Sequence, residues 1–174
     1  NGKLARESMY VNDILEGPYK TYYYNGQTEK EGNCVKGSMS GKWTYYHSNG
    51  KLQSVSTLDE KGKLNGEDIG YDFAGRKFRV SVYQNGDWKK VQYFDASGKI
   101  IYETRISISG TPVVNYSQLL DKAAEGVMKS NERDGVWTFY RPNGDVSSTE
   151  SQKLGKLNGQ SQTFYRSGKV SATY

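Results

Sequence analysis

The stretch GKWTYYHSNGKL, Gly41–Leu52, decides the fold of this chain. Its first half, Trp43–Tyr46, consists of aromatic and β-branched residues, which suit a pleated and half-buried strand. The pair Asn49-Gly50 follows, and such a pair tolerates the positive φ angles that a tight hairpin turn requires. A second strand, KLQSVSTL, comes after the turn. The stretch therefore predicts a β-hairpin.

Copies of this pattern recur along the chain about every 24 residues. The turn glycines Gly26 and Gly50 are 24 residues apart, and so are Gly144 and Gly168. Units begin near residues 17, 41, 66, 89, 135 and 159, with partial units at both ends and an irregular segment over 106–134. A fixed period of this size is typical of repeat proteins, in which each unit packs on its neighbours. We therefore expect one all-β repeat domain over residues 1–174.

The aromatic residues of each unit have two interpretations. Because side chains alternate along a strand, Trp43 and Tyr45 should share one face and Tyr46 the other. The rings either stack from hairpin to hairpin as a core, or leave an exposed aromatic row on the open face of a single sheet. Which ring of each pair is exposed stays open at this point. The candidate partner-binding aromatics are Tyr22, Tyr23, Trp43, Tyr45, Tyr46, Trp137, Tyr140 and Tyr165.

The irregular middle segment has two interpretations as well. Ser117 suits a helix N-cap, several apolar residues after it lie on roughly one face, and Gly126 suits a helix end. These signals predict a short helix or loop insertion near residues 117–126. Alternatively the segment is a decayed repeat, because Glu125-Gly126 precedes Gly135 as Glu31-Gly32 precedes Gly41.

One longer run identifies a known pattern. Residues 25–52 contain Asn-Gly, then Glu-Gly, a polar link ending in glycine, aromatic-x-x-Tyr, and Asn-Gly again. This run resembles the MORN-repeat variant of bacterial proteins, which often carry the label YwqK-like antitoxin. The resemblance implies an elongated, twisted antiparallel sheet of hairpins and a non-catalytic binding or scaffolding role. Two units depart from the pattern, since Asp68 and Val91 occupy the tryptophan position.

No arrangement of residues indicates catalysis. His47 is the single histidine, no nucleophile motif surrounds it, and we interpret it as a solvent-facing residue at a strand end. Cys34 is the single cysteine, so it has no partner for an intrachain disulfide or a zinc site. We therefore expect no catalytic residue, no cofactor and no metal.

Charge and hydropathy restrict the partner class. The formal net charge of +5 comes from scattered residues without a basic block, so nucleic acid is not the expected partner. No run reaches the ~20 apolar residues that span a bilayer, so we expect no membrane span in this chain. A protein partner or a second copy of the chain is the first hypothesis. The alternative is carbohydrate or cell-envelope binding, because aromatic-glycine hairpins also resemble choline- and glucan-binding repeats.

The compartment is not decided by these residues. The chain begins at Asn1-Gly2, which reads as the middle of a repeat, so we expect a further segment upstream. The family resemblance favours an exported or cell-envelope protein.

Overall fold

A computed structural model describes residues 2–174 and shows an all-β chain with fifteen antiparallel strands in two sheets. The first sheet contains β1 (Arg6–Val11), β2 (Ile14–Tyr22), β3 (Thr28–Val35), β4 (Ser38–Tyr46), β5 (Leu52–Leu58), β6 (Leu64–Tyr71), β7 (Lys77–Gln84), β8 (Asp87–Phe94) and β9 (Ile100–Arg105). The second contains β10 (Thr111–Tyr116), β11 (Lys122–Lys129), β12 (Glu132–Tyr140), β13 (Val146–Lys153), β14 (Lys156–Phe164) and β15 (Val170–Thr173). In both sheets each strand pairs with the next one along the chain. The predicted hairpin fold is confirmed.

The chain forms two compact units. The first unit ends at Glu103, within β9, and the second comprises Thr104–Tyr174. Each unit is a row of hairpins with its own buried residues. The expectation of one cooperative domain stays a prediction.

Two kinds of turn alternate within the sheets, except that β5 and β6 are joined by a five-residue loop over residues 59–63. Turns such as Lys36-Gly37 have two central residues, both at positive φ (50° and 82°), which is the type I′ geometry of tight hairpins. The turns that follow β2, β4 and each later even-numbered strand are longer, and we call them the repeat loops. In the repeat loop His47–Lys51, the His47 N–H donates to the Lys51 carbonyl and the Gly50 N–H to the His47 carbonyl, both at 2.8 Å. The predicted Asn-Gly turn therefore lies within a five-residue loop, where Gly50 has positive φ (80°).

The repeat loops continue through the irregular segment. Within residues 2–174 they begin at Tyr23, His47, Asp72, Asp95, Ser117, Arg141 and Tyr165. The long gap between the fourth and fifth recognised units therefore contains a further repeat, as the decayed-repeat interpretation predicts. In this repeat Val113 occupies the tryptophan position and is buried.

The helix predicted near residues 117–126 is wrong. The Ser117 N–H donates to the Asp121 carbonyl (2.9 Å) and the Leu120 N–H to the Ser117 carbonyl (3.0 Å), as in every other repeat loop. Leu120 takes the glycine position of this loop with φ of 66°. The Ser117 hydroxyl accepts from the Leu119 N–H (3.1 Å), which closes a turn and does not cap a helix. Strand β11 then begins at Lys122, so the decayed-repeat interpretation is confirmed.

The tryptophans explain the recurring Glu-Gly pair. Trp43 is 1% exposed, and its ring crosses β3 directly over Gly32, where a Cβ would lie no more than 2.7 Å from three ring carbons. Its Nε1–H donates to the Asn33 carbonyl at 3.1 Å. Trp137 lies over Gly126 in the same way and is equally buried. Because each glycine has no side chain, it leaves the space that a tryptophan ring occupies.

Asp68 replaces tryptophan in one unit without leaving a buried charge unpaired. It is buried, accepts from the Ser56 hydroxyl at 2.6 Å, and accepts from the Arg79 guanidinium at 2.5 Å. The buried polar group therefore has the partners that its burial requires. Val91, at the same position of the next unit, fills the space with an apolar side chain and is fully buried.

Candidate functional site

The two faces of the first sheet carry different side chains. The Trp43 and Tyr45 ring centroids are 6.4 Å apart on one face, as predicted. Tyr46 lies on the other, where its hydroxyl donates to a Glu31 carboxylate oxygen at 2.6 Å. The Lys20 ammonium contacts the second oxygen of Glu31 at 3.0 Å. We call this side the Tyr46 face and give the same name to its repeat equivalents in the second unit.

The tyrosine–glutamate bond recurs on the Tyr46 face. Three tyrosines donate to a glutamate fifteen residues earlier: Tyr22 to Glu7 (2.7 Å), Tyr46 to Glu31 (2.6 Å) and Tyr140 to Glu125. The Tyr46 hydroxyl, followed by Lys20, lowers the pKa of the Glu31 carboxyl. The same hydrogen bond, together with burial, raises the pKa of Tyr46 to about 12. The Glu31 carboxylate is therefore held ionised beside the Tyr46 ring.

A cavity of about 410 Å³ opens beside this cluster, between the repeat loops Tyr23–Gln27 and His47–Lys51. It is lined by Lys20, Gln27, Thr28, Glu31, Tyr46 and Gly50. The cavity combines one ring, one carboxylate and one ammonium group. Such a mixed apolar and polar lining is usual for binding sites.

The second unit contains the same cavity. A volume of about 510 Å³ lies between the repeat loops Arg141–Asp145 and Tyr165–Lys169. Six of its lining residues have the same sequence separations from their repeat loops as the six residues of the first cavity. They are Thr138, Asp145, Val146, Thr149, Phe164 and Gly168. The cavity is therefore a property of the repeat and not of one irregular loop.

Hydrogen bonds between successive repeats hold neighbouring loops in place. The Tyr23 hydroxyl donates to the Tyr46 carbonyl at 2.6 Å, and the Asn25 side-chain amide donates to the Ser48 carbonyl at 2.8 Å. Asn49 makes the equivalent bond to the Phe73 carbonyl at 2.8 Å. Since these bonds join residues about one period apart, they fix the spacing of the loops that border the cavity.

His47 is one of these inter-repeat links. It is only 7% exposed, its Nε2 lies 3.1 Å from the Tyr71 carbonyl, and its ring lies 4.9 Å from that of Phe73. Because a carbonyl can only accept, Nε2 carries the proton in this contact. The solvent-facing position expected from the sequence is wrong, since the next repeat covers the ring.

The structure separates the predicted partner-binding aromatics into three groups. Trp43 and Trp137 belong to the core, and Tyr45 packs beside Trp43. The other members, Tyr22, Tyr23, Tyr46 and Tyr140, are half-buried and hydrogen-bonded, whereas Tyr165 is exposed.

The sequence interpretation missed several residues. Glu31, Lys20, Thr28 and Phe164 line the cavities but were not selected. The recurrence of glutamate fifteen residues before tyrosine was visible in the sequence and could have identified Glu31. Tyr24, which is 80% exposed on a repeat loop, was missed because the pattern emphasised strand residues.

Fold and cavities together define a tandem β-hairpin repeat protein with a recurring cavity between neighbouring loops. The family model described as MORN repeat variant matches residues 15–33 and 39–60. These segments contain most of the hairpins that border the first cavity. The chain is thus similar to the MORN repeat variant over these two segments. No curated protein matches the chain.

Residues 2–174 contain no group of three or more histidine, cysteine, aspartate or glutamate side chains arranged to hold a metal ion. The same part of the chain contains no helix long and apolar enough to cross a membrane.

Proposed function

We propose that this protein is a non-catalytic hairpin-repeat scaffold that binds a protein partner through the Tyr46 face. The observation that carries the proposal is the recurrence of one cavity at equivalent positions in both units. A site that repeats with the structural period suits an extended partner, which contacts several repeats with similar chemistry. The match of two segments to the MORN repeat variant supports a protein-interaction role. Self-association and a relation to YwqK-like proteins are further predictions.

The experiment compares partner binding by matched variants. A partner captured with the intact chain is purified, and its dissociation constant is measured for the wild type and for the double variant Thr28→Lys, Val146→Lys, which places a long side chain in each cavity. The charge-matched control is Gln84→Lys, Thr173→Lys, which adds the same two charges at exposed residues that end β7 and β15 and line neither cavity. We expect weaker binding by the double variant alone. Equal binding by all three proteins would overturn the proposal for this face.

A carbohydrate-binding role is the second candidate, and two exposed rings favour it. Tyr24 and Phe73 are both exposed, and each is the second residue of its repeat loop. Their loops are four strands apart, which corresponds to roughly 19 Å at the usual strand spacing. Rings at such intervals can stack on sugars that lie several residues apart along a polysaccharide.

Serine is the matched replacement for these rings, because Ser48 occupies the same position of the loop between them. A glycan array probed with the wild type and with Tyr24→Ser, Phe73→Ser tests this role. Binding that the double variant loses would support carbohydrate recognition. A silent array for the wild type would exclude it for the glycans present.

A further inference from the structure

We call the space between two successive repeat loops a junction. At two junctions a lysine side chain of the protein itself lies over an aromatic ring. Lys77 comes five residues after Asp72, the first residue of its repeat loop. Its ammonium lies over the Phe94 ring, 4.1 Å from the ring centroid. Lys122 stands at the same position of another repeat, with its ammonium 4.5 Å from the centroid of the Tyr140 ring. In both cases the ring belongs to the residue just before the next repeat loop. Both distances lie within the range of cation–π attraction.

The two open cavities lack this lysine. The equivalent positions are Thr28 in the first cavity and Val146 in the second, and neither side chain carries a charge. The rings that would receive the cation are Tyr46 and Phe164, and both line their cavities. Within residues 2–174, no lysine or arginine lies over either ring. The cavities therefore lie where a lysine side chain lies at the Lys77 and Lys122 junctions.

The first cavity also has the anion that a lysine requires. At the filled junction Lys122 contacts the Glu125 carboxylate at 2.9 Å, and Tyr140 donates to the other oxygen of that carboxylate. Glu31 occupies the position of Glu125 in the open cavity and accepts from Tyr46 in the same way. Its second oxygen contacts Lys20, in an ion pair whose two side chains are 34% and 39% exposed. Such an exposed pair contributes little and can exchange with another ammonium group.

The second cavity has a different charge arrangement, because Thr149 occupies the position of Glu31. Asp145 lines it and is exposed, so its carboxylate lies at the rim. Arg166 also lines this cavity and is exposed. The first cavity is therefore expected to bind a cation more tightly than the second.

We propose that each open cavity accepts the side chain of a lysine from a partner protein, with the ammonium over the ring of Tyr46 or Phe164. This inference rests on the proposed scaffold function and names the chemistry that the partner presents. The filled junctions at Lys77 and Lys122 show the geometry that the partner lysine takes. A partner with lysines spaced to reach successive repeats would be selected over a neutral one.

The first test uses Nα-acetyl-lysine methylamide as the probe and NMR of the intact chain as the readout. Saturable shifts are expected for the Tyr46 ring and, at higher concentration, for Phe164. Acetylation of the probe's ammonium removes its charge, and a cation–π contribution of this kind corresponds to roughly a fivefold loss of affinity. Equal shifts with the charged and the acetylated probe would overturn the inference.

Matched variants test the position of the site. Thr28→Lys builds into the first cavity the lysine that other junctions have, so the response at Tyr46 should be lost while that at Phe164 stays. Lys122→Thr empties a filled junction that retains Glu125, so a new response should arise at the Tyr140 ring. Unchanged resonances far from each substitution show that the variants fold. A Thr28→Lys chain that still responds at Tyr46 would contradict the inference.

The inference and the scaffold function fail in different ways. The chain could bind the lysine probe saturably while substitutions in both cavities leave its affinity for the partner unchanged. That result would overturn the scaffold function and support the lysine site. Partner binding that depends on the cavities, without any preference for the charged probe, would overturn the lysine and support the function.

Discussion

Replacing Gly32 by alanine tests how the tryptophans hold the repeats together. Gly32 does not have positive φ, so alanine meets no backbone strain there and its effect is steric. Its Cβ would lie at most 2.7 Å from three carbons of the Trp43 ring, where ordinary van der Waals contact begins at about 3.4 Å. The ring therefore has to move by roughly 1 Å, because a buried ring has no free space to absorb the overlap.

The expected cost follows from what the movement disturbs. Overpacking of this kind costs about 1–3 kcal/mol. The hydrogen bond from Trp43 to Asn33 is lost or weakened, at about 1 kcal/mol. The lower entropy of the unfolded chain returns about 0.4–1 kcal/mol. We therefore expect Gly32→Ala to lower the free energy of unfolding of the first unit by about 1–3.5 kcal/mol.

Urea denaturation followed by tryptophan fluorescence measures this change. Gly126→Ala is the matched variant in the second unit, where a Cβ would lie 2.5 Å from the Trp137 ring. Gly70→Ala is the milder control, since its Cβ would lie 3.0 Å from the edge of the Phe78 ring. We expect similar losses for the first two variants and less than about 1 kcal/mol for the third. A Gly32→Ala protein as stable as wild type would refute the packing explanation.

Three other substitutions have defined outcomes. Leu120→Gly should raise the free energy of unfolding by about 1 kcal/mol, because leucine is strained at positive φ. A lower midpoint of thermal denaturation than that of the wild type would contradict this prediction. His47→Phe leaves the Tyr71 carbonyl without its donor, which should cost about 1–3 kcal/mol in urea denaturation, and no loss would contradict the link. Tyr46→Phe should reduce the acid sensitivity of folding. The lowered pKa of Glu31 contributes stability above pH 4.5 that is lost as pH falls through the folded-state value. The free energy of unfolding is measured from pH 7 to pH 3 for the variant and the wild type. An equal loss of stability in both proteins would contradict a contribution from the hydrogen bond between Tyr46 and Glu31.

The hairpins could be predicted from the sequence because their signals are local. Aromatic strands and Asn-Gly turns repeat at a constant spacing, and the fold follows from that period alone. The false helix near residues 117–126 arose because apolar residues there happen to fit a helical spacing. Leu120 concealed the repeat loop, since leucine gives no turn signal where the other loops have glycine.

The cavities could not be predicted, because they depend on side chains about one period apart. Thr28 and Val146 are ordinary strand residues when each unit is considered alone. Their importance follows from comparison with Lys77 and Lys122, which stand at equivalent positions and point to a ring of the next repeat. That comparison requires the position of each repeat loop, and the structure supplies it.

A crystal structure of the chain soaked with Nα-acetyl-lysine methylamide tests the central claim most directly. We expect the probe in the first cavity, with its ammonium within about 6 Å of the Tyr46 ring centroid and in contact with Glu31. A probe bound elsewhere, at a concentration that saturates the NMR response, would contradict the assignment of the cavity as a lysine site.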